Sequence, residues 1–99
     1  MSFVVKILKR ANLEVEEAFL YYESKSIALA DNFLATYEDT LKTLSNIPFF
    51  EMKYGEIRKI PLKKFPYSIH FRVNEVDKIV SIEAVTCDYQ DPNTTKLKT

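Results

Sequence analysis

The chain is poor in the residues that mark most cofactor sites: it has one glycine, one cysteine, one histidine and no tryptophan. A single histidine and a single cysteine cannot supply a set of nitrogen and sulfur ligands, and one glycine cannot build a loop that cradles phosphate. Metal-dependent and nucleotide-dependent enzymes are disfavoured on that ground, and no cofactor and no metal are expected. Cys87 has no second cysteine with which to close an intramolecular disulfide, which fits a reducing cytoplasm. Long apolar runs are missing too. The run Phe3 to Leu8 is interrupted by Lys6 and is too short for a signal-peptide core or a bilayer span, so neither export nor a membrane partner is expected.

What is present is the composition of one globular domain, with 99 residues, 46% hydrophobic and 28% charged. Residues 1–99 are expected to form a single domain with a tail that loosens after residue 92. The net charge of zero hides a segregation. Residues 12–40 carry seven acids against the lone base Lys25, whereas residues 41–72 carry Lys42, Lys53, Arg58, Lys59, Lys63, Lys64 and Arg72 against Glu51 and Glu56. Such a dipolar molecule can draw phosphate or an acidic partner to its basic end, although a solvated basic face with no ligand explains the pattern equally well.

The periodicity predicts an order of elements. FVVKIL, Phe3 to Leu8, is a short β-branched strand. A helix follows, with Asn12 as N-cap, Glu14, Glu16 and Glu17 at its positive end, and Val15, Ala18, Phe19 and Tyr22 on one side. Ser24 and Ser26 break it, and a second helix from Ser26 carries the stripe Ala30, Phe33, Leu34, Tyr37, Leu41 and Leu44 until Pro48 stops it. These stripes are core rather than a cofactor box. After a loop from Phe49 to Gly55 the period becomes two. Glu56 to Leu62 is a strand that Pro61 confines to an edge, a bulge or its own end. Lys63 to Pro66 is a corner, with Phe65 packed beneath it, because proline fixes its own φ and holds the residue before it extended. Tyr67, Ile69, Phe71 and Val73 then alternate with Ser68, His70 and Arg72, Asn74 to Asp77 turn, and Lys78 to Thr86 is a central strand.

Strand, two helices and three strands make an α+β domain, a helical hairpin packed on one face of a mostly antiparallel four-stranded sheet. The other face is expected to be open and to display Ser68, His70, Arg72, Ser81 and Glu83, with Lys59 beside them. Arg58, Lys59, Lys63, Lys64, His70 and Arg72, interleaved with Tyr54, Tyr67 and Tyr89, could hold a phosphate backbone while aromatic rings stack on unpaired bases. The plain alternative is that His70 and Arg72 only solvate the sheet and pair with Glu83, and that the tyrosines are core with wet hydroxyls. A Cys87 nucleophile with His70 as its base is a weak pattern, since two isolated residues carry little information.

IRKIPLKKFPYSIHFRV, followed by a hairpin and IVSIEAVTCDYQDP, resembles the C-terminal half of the RelE/ParE superfamily of type II toxin–antitoxin toxins, and YYE, Tyr21 to Glu23, resembles its helical hairpin. The resemblance covers residues 1–92 and is most specific at the Phe65, Pro66, Tyr67 corner. It implies a compact toxin held inactive by a cognate antitoxin that wraps it, alone, as a dimer or as a toxin–antitoxin hetero-oligomer. RelE-like members cleave mRNA, usually on the ribosome; ParE-like members poison DNA gyrase. The family often carries H-x-x-R-D-P at the end of the last strand and a base just after the corner tyrosine. Cys87, Gln90 and Ser68 stand at those three positions here, while Arg58 matches.

Those departures remove an acid–base group and two cations, and tilt the expectation toward a binding poison with gyrase as its target. Arg58, Lys59, Lys63, Lys64 and Tyr67 are the expected target- or phosphate-binding residues. The alternative is a metal-independent endoribonuclease using Arg58, His70, Arg72 and Tyr89, and a further one is an inactive relative that binds only the antitoxin. An antitoxin helix is expected to dock near Phe49, Phe50 and Tyr54.

Overall fold

The computed structural model describes residues 3–46, 52–54 and 56–88. In chain order the elements are β1 (Val4–Ile7), α1 (Lys9–Glu23), α2 (Ile27–Asn46), β2 (Met52–Tyr54), β3 (Ile57–Pro61), β4 (Tyr67–Asn74) and β5 (Ile79–Cys87). They form one five-stranded sheet in the order β1-β5-β4-β3-β2, with β1 parallel to β5 and every other pair antiparallel. The helical hairpin on a mostly antiparallel sheet is as expected. The strand beyond the expected four is β2, three residues of the segment expected to be loop, which pairs with β3 at the sheet margin. Pro48, Phe49, Phe50 and the side chain of Tyr54 lie outside the described residues, so the helix stop and the expected docking groove lie outside them too.

Helix α1 starts earlier than its sequence cap suggested. Leu8 is extended, with φ −72° and ψ 156°, and no side chain caps the helix. Its N–H completes the β1–β5 ladder by donating to the Ile82 carbonyl at 3.0 Å, and its carbonyl accepts the first helical bond from Asn12 N–H, also 3.0 Å. The strand thus passes straight into the helix, and the ladder sets the start where a cap would otherwise do so. At the other junction local chemistry prevails. The Ser24 hydroxyl donates to the Tyr21 carbonyl at 2.6 Å, closing α1, and the Ser26 hydroxyl accepts from Leu29 N–H at 3.3 Å, opening α2.

Both helices pack on one side of the sheet. Ala11, Val15, Ala18 and Tyr22 from α1 and Ala30, Phe33, Tyr37 and Leu44 from α2 join Ile69, Phe71, Val80, Ile82 and Val85 in one buried cluster. Burial raises the Tyr37 phenol to about 12. Phe65 does lie beneath the corner. Its ring is 5.2 Å from Tyr22 and 5.4 Å from Phe33, mostly edge-on, and Tyr67 is 5.5 Å from Phe33. Aromatic edges meeting faces at these distances add to simple burial.

The corner turns without glycine, at a cost in backbone strain. Lys64 has φ 68°, in the left-handed region, and Leu62 N–H donates across the turn to the Tyr67 carbonyl at 2.8 Å. A side chain with a Cβ is disfavoured there, and a β-branched one more so. Lys64→Gly is expected to keep or slightly raise stability, while Lys64→Val lowers it by about 1–2 kcal/mol; urea unfolding of the two variants checks this.

Candidate functional site

The β3–β4 hairpin carries the expected site residues, and its register decides which of them meet. Arg58 lies opposite Phe71, Lys59 opposite His70, Ile60 opposite Ile69 and Pro61 opposite Ser68. Opposite residues of an antiparallel pair share a sheet face, so Lys59 and His70 belong together, and Tyr67, three residues from His70, faces the other way. Tyr67 stands in the aromatic cluster under the helices, half-buried, where burial first and the nearby Cys87, Tyr22, Tyr21 and Glu17 next raise its phenol to about 12. It is not on the surface that Lys59 shares.

The expectation of an open, displayed histidine is overturned. His70 is 3% exposed and Ser68 2% exposed, although both stand on the face opposite the helices. His70 Nε2 lies 2.8 Å from the Thr86 hydroxyl, which accepts when Nε2 carries the proton and donates when Nε2 is bare. Burial first, then the nearby Lys59 and Arg10, lower the His70 pKa to about 4, with Asp88 opposing them. The ring is therefore neutral at physiological pH. Ser68 donates its hydroxyl to Asp88 Oδ1 at 2.8 Å, and Asp88 N–H donates to the Pro66 carbonyl at 2.7 Å, so the end of β5 is tied back to the corner.

The cations are strung along the hairpin rather than gathered. Arg58 and Arg72 sit toward one end and, with Glu56, Glu75 and Ser81, line an open hollow of about 540 Å³. Lys63 and Lys64 are exposed in the turn at the other end. An extended strand rises about 3.3 Å per residue, which puts roughly 15 Å of ladder between the two groups. Acids stand among the cations. Arg72 Nη1 is 3.9 Å from Glu56 and its Nε 3.8 Å from Glu83, while Lys59 Nζ is 4.0 Å from Asp88. These pairs are partly exposed and loose, worth about 0–1 kcal/mol each, so an incoming anion can displace them. Tyr89 and Gln90 lie outside the described residues.

Three participants escaped sequence reasoning. Thr86 holds His70, Asp88 holds Ser68 and faces Lys59, and Glu14 accepts the Val85 N–H at 2.9 Å from 71 positions away. No local pattern signals any of them, because each bond spans a large loop of chain. A β-bulge has a further effect. His70 pairs with Ala84 and Phe71 with Ile82, so Glu83 is the extra residue in β5. Ala84 and Val85 then exchange the faces that strict alternation from Val80 and Ile82 assigned to them.

No protein-family model matches the chain, and no curated protein matches it. Solved structures do. The chromosomal ParDE toxin–antitoxin system of P. aeruginosa aligns at a TM-score of 0.72 and 17% identity, covering 87% of this chain and 96% of that one. A free mutant form of the E. coli toxin RelE aligns at 0.65 and 16%, covering 90% and 86%. The RelBE2 toxin–antitoxin complex of Mycobacterium tuberculosis aligns at 0.62 and 14%, covering 88% and 99%. At such identities the shared property is the fold, which is that of the RelE/ParE toxins.

Proposed function

From the RelE/ParE toxin fold, we propose that this chain is the toxin of a type II toxin–antitoxin pair, cytoplasmic and neutralised by a cognate antitoxin, and that it arrests growth by binding a macromolecular target, with DNA gyrase the first choice. The observation that supports binding over cutting is the burial of the one histidine. Metal-independent RNA cleavage needs a group that takes or gives a proton at the reacting hydroxyl, within about 3 Å of it. His70 is 3% exposed and bonded to Thr86, so it does not meet a substrate on the surface. The exposed groups of the hairpin, Lys63 and Lys64 above all, are suited to charge contacts and not to proton transfer.

A metal-independent endoribonuclease is the second reading, favoured by Arg58 and Arg72 lining one hollow, where two guanidinium groups could hold a phosphodiester and its developing charge. Purified protein added at a stoichiometric amount to gyrase separates the two. Loss of supercoiling with RNA and translating ribosomes left intact supports the first reading. Intact supercoiling with cleaved RNA supports the second. Neither effect, with no growth arrest on induction without antitoxin, leaves an inactive relative that only binds the antitoxin.

The role of the corner is tested by charge removal that respects its backbone. Lys63→Ala with Lys64→Gly removes both cations without straining residue 64. Target binding should weaken, and its dependence on salt should become shallower than wild type, since fewer charge contacts are left to screen. An unchanged salt dependence, measured as affinity between low and physiological ionic strength, would dismiss the corner from the interface.

A further inference from the structure

The corner and a hollow beside α1 stand at one end of the molecule. Phe65, in the corner, packs on the Tyr22 ring at 5.2 Å, and that ring is 5.3 Å from Tyr21. Tyr21 and Tyr67, with Glu14, Glu17 and Cys87, line a hollow of about 260 Å³ between α1 and the end of β5. Drug- and cofactor-sized ligands occupy roughly 300–1,000 Å³, so this space suits one long side chain. Its charge favours a cation. Glu14 is engaged, with Arg10 Nε 3.3 Å from Oε2 and the Val85 N–H on Oε1, whereas the exposed Glu17 makes no ion pair among the described residues. Lys25 Nζ already stands 5.0 Å from the centre of the Tyr21 ring, as the negative face of a phenol ring favours.

The corner carries cations of the matching kind. Lys63 and Lys64 are exposed, and among the described residues neither has an ion-pair partner. Lys64 holds φ 68°, where glycine would be unstrained. Backbone strain of this kind persists where the side chain that it carries has a use.

We propose that two copies of this chain pair about a twofold axis, each placing a corner lysine, Lys63 or Lys64, in the other's hollow against Glu17 and Tyr21. Corner and hollow share one end, so a single rotation makes both contacts and the pair closes with neither left over. Leu20, Tyr21 and Ile27, which are 54, 54 and 70% exposed about the same junction of helices, provide the apolar area that loose ion pairs lack. The separation of charge permits the contact. Residues 12–40 carry seven acids against one base and residues 41–72 seven bases against two acids, so unlike charges meet although the chains are identical and their net charge is zero. The pairing covers the corner of both copies, and it stands whether or not the corner also meets a growth target.

Sedimentation of the full chain between about 10 μM and 1 mM should show a monomer–dimer equilibrium that moves toward monomer as salt rises. Lys63→Glu with Lys64→Glu in one variant, and Glu17→Lys in another, should each weaken the dimer about tenfold, since every change counts at both contacts. Glu17→Gln, which keeps the shape of the side chain, should weaken it about threefold. Mixed together, the two charge-reversed variants should pair as tightly as wild type, because each then offers the charge that the other's altered group needs. Wild type that stays monomeric to about 1 mM, charge-reversed variants that pair by themselves as tightly as wild type, or a mixture that pairs no better than its components would each overturn the proposal. A mass that keeps growing past two chains would overturn the twofold closure. A chain that stays monomeric while spermine moves the Glu17 carboxyl NMR signal would assign the hollow to a foreign cation and overturn the pairing.

Discussion

Phe33→Ala is expected to lower the unfolding free energy by about 3–5 kcal/mol, a large part of the 5–15 kcal/mol that holds a domain of this size folded. The ring is 0% exposed and touches Tyr22, Phe65 and Tyr67 at centroid distances of 5.2, 5.4 and 5.5 Å. Truncation removes buried apolar area, leaves a cavity between α2 and the corner, and breaks three aromatic contacts at once. Phe33→Leu, which refills most of the volume, should cost clearly less, about 1–2 kcal/mol. The check is urea unfolding, with the midpoint falling and the slope unchanged. A cost below about 1 kcal/mol for Phe33→Ala would mean that the cluster does not hold the hairpin to the helices. The consequence reaches the candidate interface, because Phe65 belongs both to this cluster and to the corner that carries Lys63 and Lys64.

Acidification should destabilise the protein through His70, by up to about 3 kcal/mol between pH 6.5 and 4. The folded chain holds the imidazole neutral, with a pKa lowered from 6.5 to about 4, chiefly by burial. The unfolded chain binds the proton more readily. In the window between the two values it therefore carries more protons than the folded state, and stability falls as pH falls. Above pH 6.5 the contribution is fully present; below about 4 it is gone. His70→Gln, which keeps a hydrogen-bonding group for Thr86, removes the titration. Its stability should be flat between pH 6.5 and 5, where wild type slopes, and both proteins should share the decline that carboxylates impose at lower pH. Parallel curves for the two proteins from pH 6.5 to 5 would contradict the buried, neutral histidine, and with it the observation that supports binding over cleavage.

Much of the fold was legible because its signals are local and repeated. The α2 stripe names Ala30, Phe33, Leu34, Tyr37, Leu41 and Leu44; Ala30, Phe33, Tyr37 and Leu44 are buried, and Leu34 and Leu41 pack half-buried against the same core. Strand β4 begins at Tyr67 as the corner required, and the turn after it is closed by Asp77 N–H donating to the Asn74 side chain at 3.0 Å. Where the structure departs from the local pattern, a distant element overrules a local preference. Asn12 is a good cap, yet the β1–β5 ladder starts the helix before it. Strict alternation put Glu83 in phase with Ser81 and Val85 against Ala84, and one bulge changed the phase.

The sequence alone determined the parts of this protein that depend on nearest neighbours along the chain: two helices, the alternating strands, a glycine-free corner and the separation of acidic from basic halves. Composition also set its chemical repertoire, one histidine and one thiol among many charges. Tertiary structure decided the environment of those groups. It buried His70 against Thr86, turned Tyr67 under the helices, spread the arginines and lysines to opposite ends of a hairpin, and brought Glu14 to the Val85 N–H of β5. The reason is physical. Burial, ion pairing and edge capping depend on which residues meet across the sheet, and those meetings are fixed by register and by one bulge, neither of which has a period that a linear sequence displays.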